Sequence, residues 1–467
     1  MKIEETVQVL TNFSAESRAK SRQEYLEDLA SLVSKYYDYN TELANYLVAF
    51  FPPTELVDFL EANQVPRPLV IRANTLRTKR RELAQVLIQK GVNLDPVGEW
   101  NKVGLKIIES QVPIGATTEY LAGQYMLQSA SSFLPVMALA PKPGERVLDM
   151  CASPGGKTTH LGQLMKNSGI LMANEFNKER IPALSANLQR MGITNSIVTN
   201  YDGRKMNKLF NCFDRVLVDA PCSGLGVIWK DQSIKAQRTL KEIKANAHIQ
   251  KELLLAAIDC VNARSSTGGF VVYSTCSIAV EENEEVIHHA LKNRNVKIVE
   301  TGLSIGEAGL PKYRGKHFHY HMTRAKRIYP HIYNMEGFFV CKLKKLDNTL
   351  PEGASKPHSA HKRPKQKKAK NMEFEVVKSD EARAEELVSE VVSEPQEVEE
   401  EPKKHKKTEE KHKKTEEEPK KKSKKHKETE EEPKKKSKKH KETEEELPKK
   451  RKKSSKSEKT KKKHKSK

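Results

Sequence analysis

Three features of the sequence predict an α/β protein: a mostly parallel sheet with helices on both faces, followed by a charged tail. Beyond residue 145, short apolar runs alternate with helix-length segments, the pattern of strands joined by covering helices. Several of those runs end at glycines, at a lone acid or at a cysteine. The composition then breaks near residue 350. Of 84 Lys and Arg and 62 Asp and Glu in 467 residues, the last 117 residues hold 40 and 27, with Phe374 their only aromatic. Such a segment has too little apolar surface to offset chain entropy, so disorder is predicted for 347–467.

The same counts exclude several classes. No run of about 18 apolar residues is present, and Met1-Lys2-Ile3-Glu4-Glu5 lacks the form of a secretory signal. Six cysteines without a C-x-x-C pair suggest free thiols in a reducing compartment, with neither a disulfide framework nor a structural zinc site. The net charge of +22 favours a polyanionic partner, in the first place nucleic acid.

Taken in order, residues 1–60 read as helical, with Leu26, Leu29, Leu32 and Val33 at helical spacing and Pro52-Pro53 as a break. Residues 61–120 read as a small α/β unit. In it, Leu69–Ile71 and Gly104–Ile108 are strand-like, and a helix over Lys79–Lys90 stops at Gly91. Residues 121–346 form the main unit, opening with a helix over Met126–Ala140. Its strands are predicted at Val147–Asp149, Ile170–Glu175, Ser196–Thr199, Val216–Asp219, Gly269–Tyr273 and Gly337–Leu343. Helices follow to Met165 and to Met191, then across Ala247–Val261 and Glu282–Leu291. In the tail, Glu416–Thr429 and Glu430–Thr443 repeat one 14-residue unit with no apolar face, which suits an interaction or localisation tail.

Ligands of such sheets bind beyond the carboxyl ends of the strands. The first end runs Asp149-Met-Cys151-Ala152-Ser153-Pro154-Gly155-Gly156-Lys157-Thr158, where paired glycines allow close backbone approach and a helix N-terminus follows. A Walker A loop would need Gly at 151, where this chain has Cys151. Glu175 ends the next strand, placed to accept from ribose hydroxyls, and Asp202 is placed to meet an adenine edge. Asp219-Ala-Pro-Cys222-Ser-Gly and Ser274-Thr-Cys276-Ser put two cysteines at adjacent strand ends among small polar residues, where a thiol is accessible. Cys212, Cys260 and Cys341 read instead as small buried hydrophobes.

The motifs D-M-C-A-S-P-G-G-K-T, D-A-P-C-S-G and S-T-C-S resemble those of the RNA (cytosine-5) methyltransferases of the nucleolar/Sun-domain type, over about Tyr25–Leu343. Val112-Pro-Ile-Gly-Ala-Thr, Glu119-Tyr-Leu-Ala-Gly and Asn334-Met-Glu-Gly-Phe-Phe resemble its nucleolar-protein-two branch. The resemblance implies a class I S-adenosylmethionine-dependent methyltransferase fold and formation of 5-methylcytosine in large-subunit rRNA in the nucleolus of the nucleus, as part of ribosome biogenesis. It implies Cys276 as nucleophile, Cys222 in product release, and Asp219 at the cytosine amino edge. Cys151, Ala152, Ser153, Pro154, Gly155, Gly156, Lys157, Glu175, Asp202 and Asp219 would bind the cofactor. Ser153 stands where the family often has Ala, and Glu175 where Asp is common. That branch usually carries a long charged N-terminal extension; this chain is expected to lack it and to use the lysine–glutamate tail in its place.

A base must leave its stack to be methylated, so the RNA should be unpaired or flipped. Arg77, Lys79, Arg80 and Arg81 form one candidate RNA platform. Lys312–Arg327, with Tyr313, Phe318 and Tyr320 interleaved, forms another. The nucleophile must be a thiolate; a helix starting just after Cys276 would help, and Glu281, Glu282, Glu284 and Glu285 would oppose it. Two rival readings are a pre-ribosomal RNA-binding assembly factor with dispensable catalysis and a tRNA methyltransferase.

Overall fold

A computed structural model describes residues 2–14 and 20–351. The disorder predicted for the tail, and its repeated unit, fall outside those residues except for 347–351.

Four helices open the chain: α1 (Lys2–Thr11), α2 (Arg22–Tyr37), α3 (Thr41–Phe50) and α4 (Pro53–Ala62). Ser21 caps α2 reciprocally. Its hydroxyl accepts from Glu24 N at 3.3 Å, and the Glu24 carboxylate accepts from Ser21 N at 2.6 Å. The break expected at Pro52-Pro53 separates α3 from α4, and Pro53 starts α4 at a position where its missing N–H costs nothing. The apolar faces of these helices close a cluster with Leu29, Val33, Leu47 and Phe59. Leu225, Ile228 and Ile278, from far along the chain, join that same cluster.

Next come β1 (Leu69–Ala73), α5 (Arg80–Gln89), β2 (Val92–Pro96), β3 (Gly104–Ser110), α6 (Thr118–Leu121) and β4 (Tyr125–Leu127). The strands form an antiparallel sheet ordered β2-β3-β1-β4. Here β4 corrects the helix expected over Met126–Ala140: Met126 and Leu127 pair with Arg72 and Ile71, and only α7 (Leu134–Leu139) is α-helical. Three residues are too few to show a strand period beside the apolar helix that follows.

The large sheet follows. Its first half comprises β5 (Arg146–Asp149), α8 (Gly156–Leu164), β6 (Ile170–Asn174), α9 (Ile181–Met191), β7 (Ser196–Thr199), β8 (Arg215–Asp219), α10 (Ile234–Gln237), α11 (Leu240–Cys260) and β9 (Phe270–Thr275). The second half comprises α12 (Glu284–Asn293), β10 (Val296–Val299), β11 (Glu307–Ala308), the hairpin β12 (Lys312–Tyr313) and β13 (Lys316–His317), β14 (Lys326–Ile328), α13 (Pro330–Tyr333) and β15 (Phe338–Lys345). Strand order is β7-β6-β5-β8-β9-β15-β14-β11, with β10 also on β15. The five strands from β7 to β9 are parallel, and the remainder is antiparallel. Alternate strand residues enter opposite cores, as a two-residue period requires. Val216, Val218 and Tyr273 meet Leu254 and Ile287 of α11 and α12, whereas Leu217 and Val272 meet Leu134, Leu161 and Leu188 of α7, α8 and α9. The chain order reverses at β5, between β6 and β8, and such a reversal opens a crevice beyond the strand ends.

Candidate active site

The loop after β5 is built for close approach. Gly155 has φ +100°, in the left-handed region, and a Cβ there would press on Leu184 at 3.1 Å, so only glycine fits. Ala152 N donates to Asn174 O at 2.8 Å, tying the loop to β6. The Ser153 hydroxyl donates to Arg180 O at 3.0 Å, a bond that alanine would lack. Asp149 is fully buried; its Oδ2 accepts from Thr158 at 2.8 Å, while Oδ1 has no protein partner. Burial pushes its carboxyl up to about 7, against the Thr158 hydrogen bond.

Glu175 and Asp202 lie beyond β6 and β7, and each is already engaged. Glu175 accepts from Asn177 N at 2.9 Å and Ser153 N at 3.3 Å. Asp202 holds the Arg204 guanidinium through both oxygens at 3.0 Å. Burial alone would raise its pKa, but Arg204 outweighs that and leaves it lowered. A carboxylate has about four lone-pair sites, so both retain acceptor capacity. Phe176, beside Glu175, is 69% exposed, a residue that the motif reading missed because a lone phenylalanine carries no spacing signal.

Beyond β8 and β9, the Cys222 and Cys276 sulfurs are 3.3 Å apart, both half-buried. Cys276, then burial, raises the Cys222 thiol well above its ordinary range. The two thiols are within hydrogen-bond reach, and either sulfur can be the donor. The cation beside this pair is Lys157. Its Nζ lies 2.8 Å from Asp219 Oδ2, and Asp219 Oδ1 accepts from the Ser274 hydroxyl at 2.7 Å. Burial would lower the Lys157 pKa, but the Asp219 charge and hydrogen bond, with Cys276, leave it raised, so the ammonium persists. The helix expected to start after Cys276 begins only at Glu284. The glutamates nearby face other partners: Glu281 takes Tyr46, Glu284 takes Arg327 and Glu285 takes Lys316. Glu282 is fully buried and accepts from Ser223 N at 2.8 Å; a run of acids in sequence reads as a solvated face and hid it.

A cavity of about 840 Å³ runs from Cys151–Pro154, Lys157 and Asp219 to Trp100 and Lys106 of the small sheet and to Trp229 and Lys230. Both tryptophans of the chain line it. Cys222, Cys276, Glu175 and Asp202 are not among the residues that line it.

The expected RNA platforms divide. Arg77, Lys79 and Arg81 are exposed, Arg77 also donating to the Ala122 carbonyl, whereas half-buried Arg80 donates to Asn101 O at 2.9 Å. In 312–327, Tyr320 is 71% exposed and stacks on His319 with ring centres 4.6 Å apart. Tyr313 packs on Phe50, Phe318 on His288, and Arg327 is buried against Glu284, so these three are absorbed by the fold. Cys260 and Cys341 are buried as expected; Cys212 is half-buried.

A family model described as 16S rRNA methyltransferase RsmB/F matches residues 136–344. The chain is 55% identical over 354 residues to the 25S rRNA (cytosine-C(5))-methyltransferase nop2 of Schizosaccharomyces pombe (strain 972 / ATCC 24843), covering 75% of this chain and 58% of that protein. It is 53% identical over 361 residues to the 28S rRNA (cytosine-C(5))-methyltransferase of Mus musculus, covering 77% and 45%. The chain spans about half the length of the curated relatives it matches. A solved methyltransferase homolog from Pyrococcus horikoshii superposes with a TM-score of 0.62 at 34% identity, over 68% of this chain and 99% of that one.

Proposed function

The chain belongs to the RsmB/F family of rRNA methyltransferases, and on that premise we propose that it forms 5-methylcytosine in large-subunit rRNA with S-adenosylmethionine as donor. Two of the relatives above are named as 25S and 28S rRNA (cytosine-C(5))-methyltransferases. The observation that carries the reading is the 3.3 Å contact of Cys222 with Cys276 beside the Lys157–Asp219 pair.

The residues fit the donor. Loop 151–157 offers the N-terminus of α8, Asp149 keeps one buried oxygen without a protein partner, and exposed Phe176 adjoins Glu175. These, with Asp202 and Asp219, would hold it; once bound, it supplies an electrophilic methyl group. Cys276 Sγ adds to carbon 6 of a flipped cytosine, which makes carbon 5 enamine-like and able to take the methyl. Lys157 stabilises the thiolate before addition and fixes Asp219, whose carboxylate accepts from the cytosine amino group. Water then takes the carbon-5 proton, the C6–Sγ bond breaks, and Cys276 leaves as the thiolate it began as. The Cys222 thiol, in contact with that sulfur, donates a hydrogen bond that stabilises it as it leaves.

The RNA path follows the cavity toward Trp100, Lys106, Trp229 and Lys230, with Tyr320 and Arg81 as outlying contacts. In this reading residues 1–60 are a helical support and the small sheet is an RNA-binding unit extended to Leu127. The catalytic unit then runs to 346, and the charged tail serves nucleolar placement and pre-ribosomal particles. Bisulfite sequencing of large-subunit rRNA with and without the protein tests the proposal: a single protected cytosine that disappears with the protein is expected, and an unchanged pattern rejects it.

A further inference from the structure

Two adjacent buried side chains hold the two cysteine loops, Asn283 the Cys276 loop and Glu282 chiefly the Cys222 loop, with the Ser277 hydroxyl also against Glu282. Glu282 and Asn283 lie between Cys276 and α12, and both are fully buried. Glu282 serves the Cys222 loop. Its oxygens accept from Ser223 N at 2.8 Å and from the Ser223 hydroxyl at 2.5 Å, immediately after Cys222. Gln250 of α11 donates to Glu282 at 3.2 Å and to Pro221 O at 2.8 Å, immediately before Cys222. Asn283 serves the other loop. Its Oδ1 accepts from the Thr275 hydroxyl at 2.6 Å and its Nδ2 donates to Ser277 O at 2.9 Å, so it holds the residues on either side of Cys276.

The loops also touch each other directly. The hydroxyls of Ser223 and Ser277 are 3.1 Å apart, and Gly226 N donates to Cys276 O at 2.9 Å. A Cβ at Gly226 would collide with the Gly337 carbonyl and come within 2.8 Å of Cys276 O. A buried carboxylate is costly unless its lone pairs are filled. Those of Glu282 are filled chiefly by groups that neighbour Cys222, with the Ser277 hydroxyl beside Cys276 as well, while Asn283 fixes the residues on either side of Cys276.

We propose that Glu282 and Asn283 are positioning residues that hold the two thiols in register, so that the sulfur that adds to the base and the group that releases it stay within reach. The catalytic meaning of that register rests on the function proposed above; the register itself does not. Disulfide formation measures it without RNA or cofactor. With diamide as oxidant, both S–H bonds break and one S–S bond forms. The two electrons and two protons pass to the diamide N=N bond, which becomes a hydrazine.

In the folded full-length chain, Glu282→Gln is expected to slow Cys222–Cys276 crosslinking about tenfold, read by intact mass, since about 1 Å of misplacement costs up to about 10²-fold in rate. In the methylation assay the same variant should accumulate enzyme–RNA adduct with KM unchanged, a split that mere loss of stability does not give. Glu282→Asp should restore part of the rate. If Glu282→Gln does not fold, Ser223→Ala, which deletes one hydroxyl, reads the same contact. A folded Glu282→Gln that crosslinks at the wild-type rate and releases product normally overturns the proposal. A wild-type chain that crosslinks quickly but methylates no RNA overturns the proposed function instead.

Discussion

Cys222 Sγ lies 3.3 Å from Cys276 Sγ, within reach of a hydrogen bond between the two thiols. On the proposed roles, removing Cys222 should stall release rather than addition. Cys222→Ala is therefore expected to form a covalent adduct with substrate RNA that survives denaturing electrophoresis, with turnover about 10²–10⁴-fold slower, the usual contribution of a positioned acid–base group. Cys276→Ala should give neither adduct nor product. A gel without a shifted species for Cys222→Ala would reverse the assignment of the two sulfurs.

Asp149 should make stability depend on pH. Its folded carboxyl titrates at about 7 against an ordinary 3.8, so the folded state binds the proton more tightly than the unfolded chain. The contribution is complete below about pH 4 and is lost as pH rises through about 7, at no more than about 1.4 kcal/mol per pH unit. Asp149→Asn removes this titration. Melting temperatures of variant and wild type should diverge in the variant's favour across that window. Parallel curves would show that the carboxyl titrates normally.

Glu284 and Arg327 are a buried ion pair, with Arg327 Nε donating at 2.7 Å. Arg327 also donates to Ile278 O at 2.9 Å, two residues past Cys276. Glu284→Gln leaves a buried guanidinium without its counter-charge and should cost about 3–5 kcal/mol in urea unfolding. A loss below about 1 kcal/mol would mean that water reaches the site.

Both tryptophans line one cavity, so indole fluorescence reports on it directly. An unpaired, cytosine-containing oligonucleotide should quench the emission, and Trp100→Phe and Trp229→Phe should each remove part of the response. Affinity should fall with salt, with a log–log slope near −0.7 for each phosphate neutralised. Quenching equally strong with duplex RNA would argue against an unpaired substrate.

The parallel half of the sheet and the ends of its strands were legible in the sequence because apolar runs, glycine turns and terminal acids recur at one spacing. Gly155, Asp219, Cys222 and Cys276 all fall where that rhythm puts them. The antiparallel strands β10, β11 and β14 were not legible, since two to four residues define no period. Charge was the least readable signal. Arg72 belongs to a basic cluster in sequence yet is fully buried, donating to the Gly156 carbonyl and to Thr159 at 2.8 Å. Glu282 and Glu284 sit in an acidic run and are buried too. Sequence shows which side chains carry charge; only the fold shows which of them water reaches.

The amino-terminal helices share one apolar cluster with Leu225, Ile228 and Ile278, which follow Cys222 and Cys276 in their loops. Warming that frays those helices would loosen both sulfurs while the central strands stay intact. Heat inactivation should accordingly run ahead of the loss of circular dichroism, and grafting a foreign amino terminus onto this chain would exchange the floor beneath its thiols.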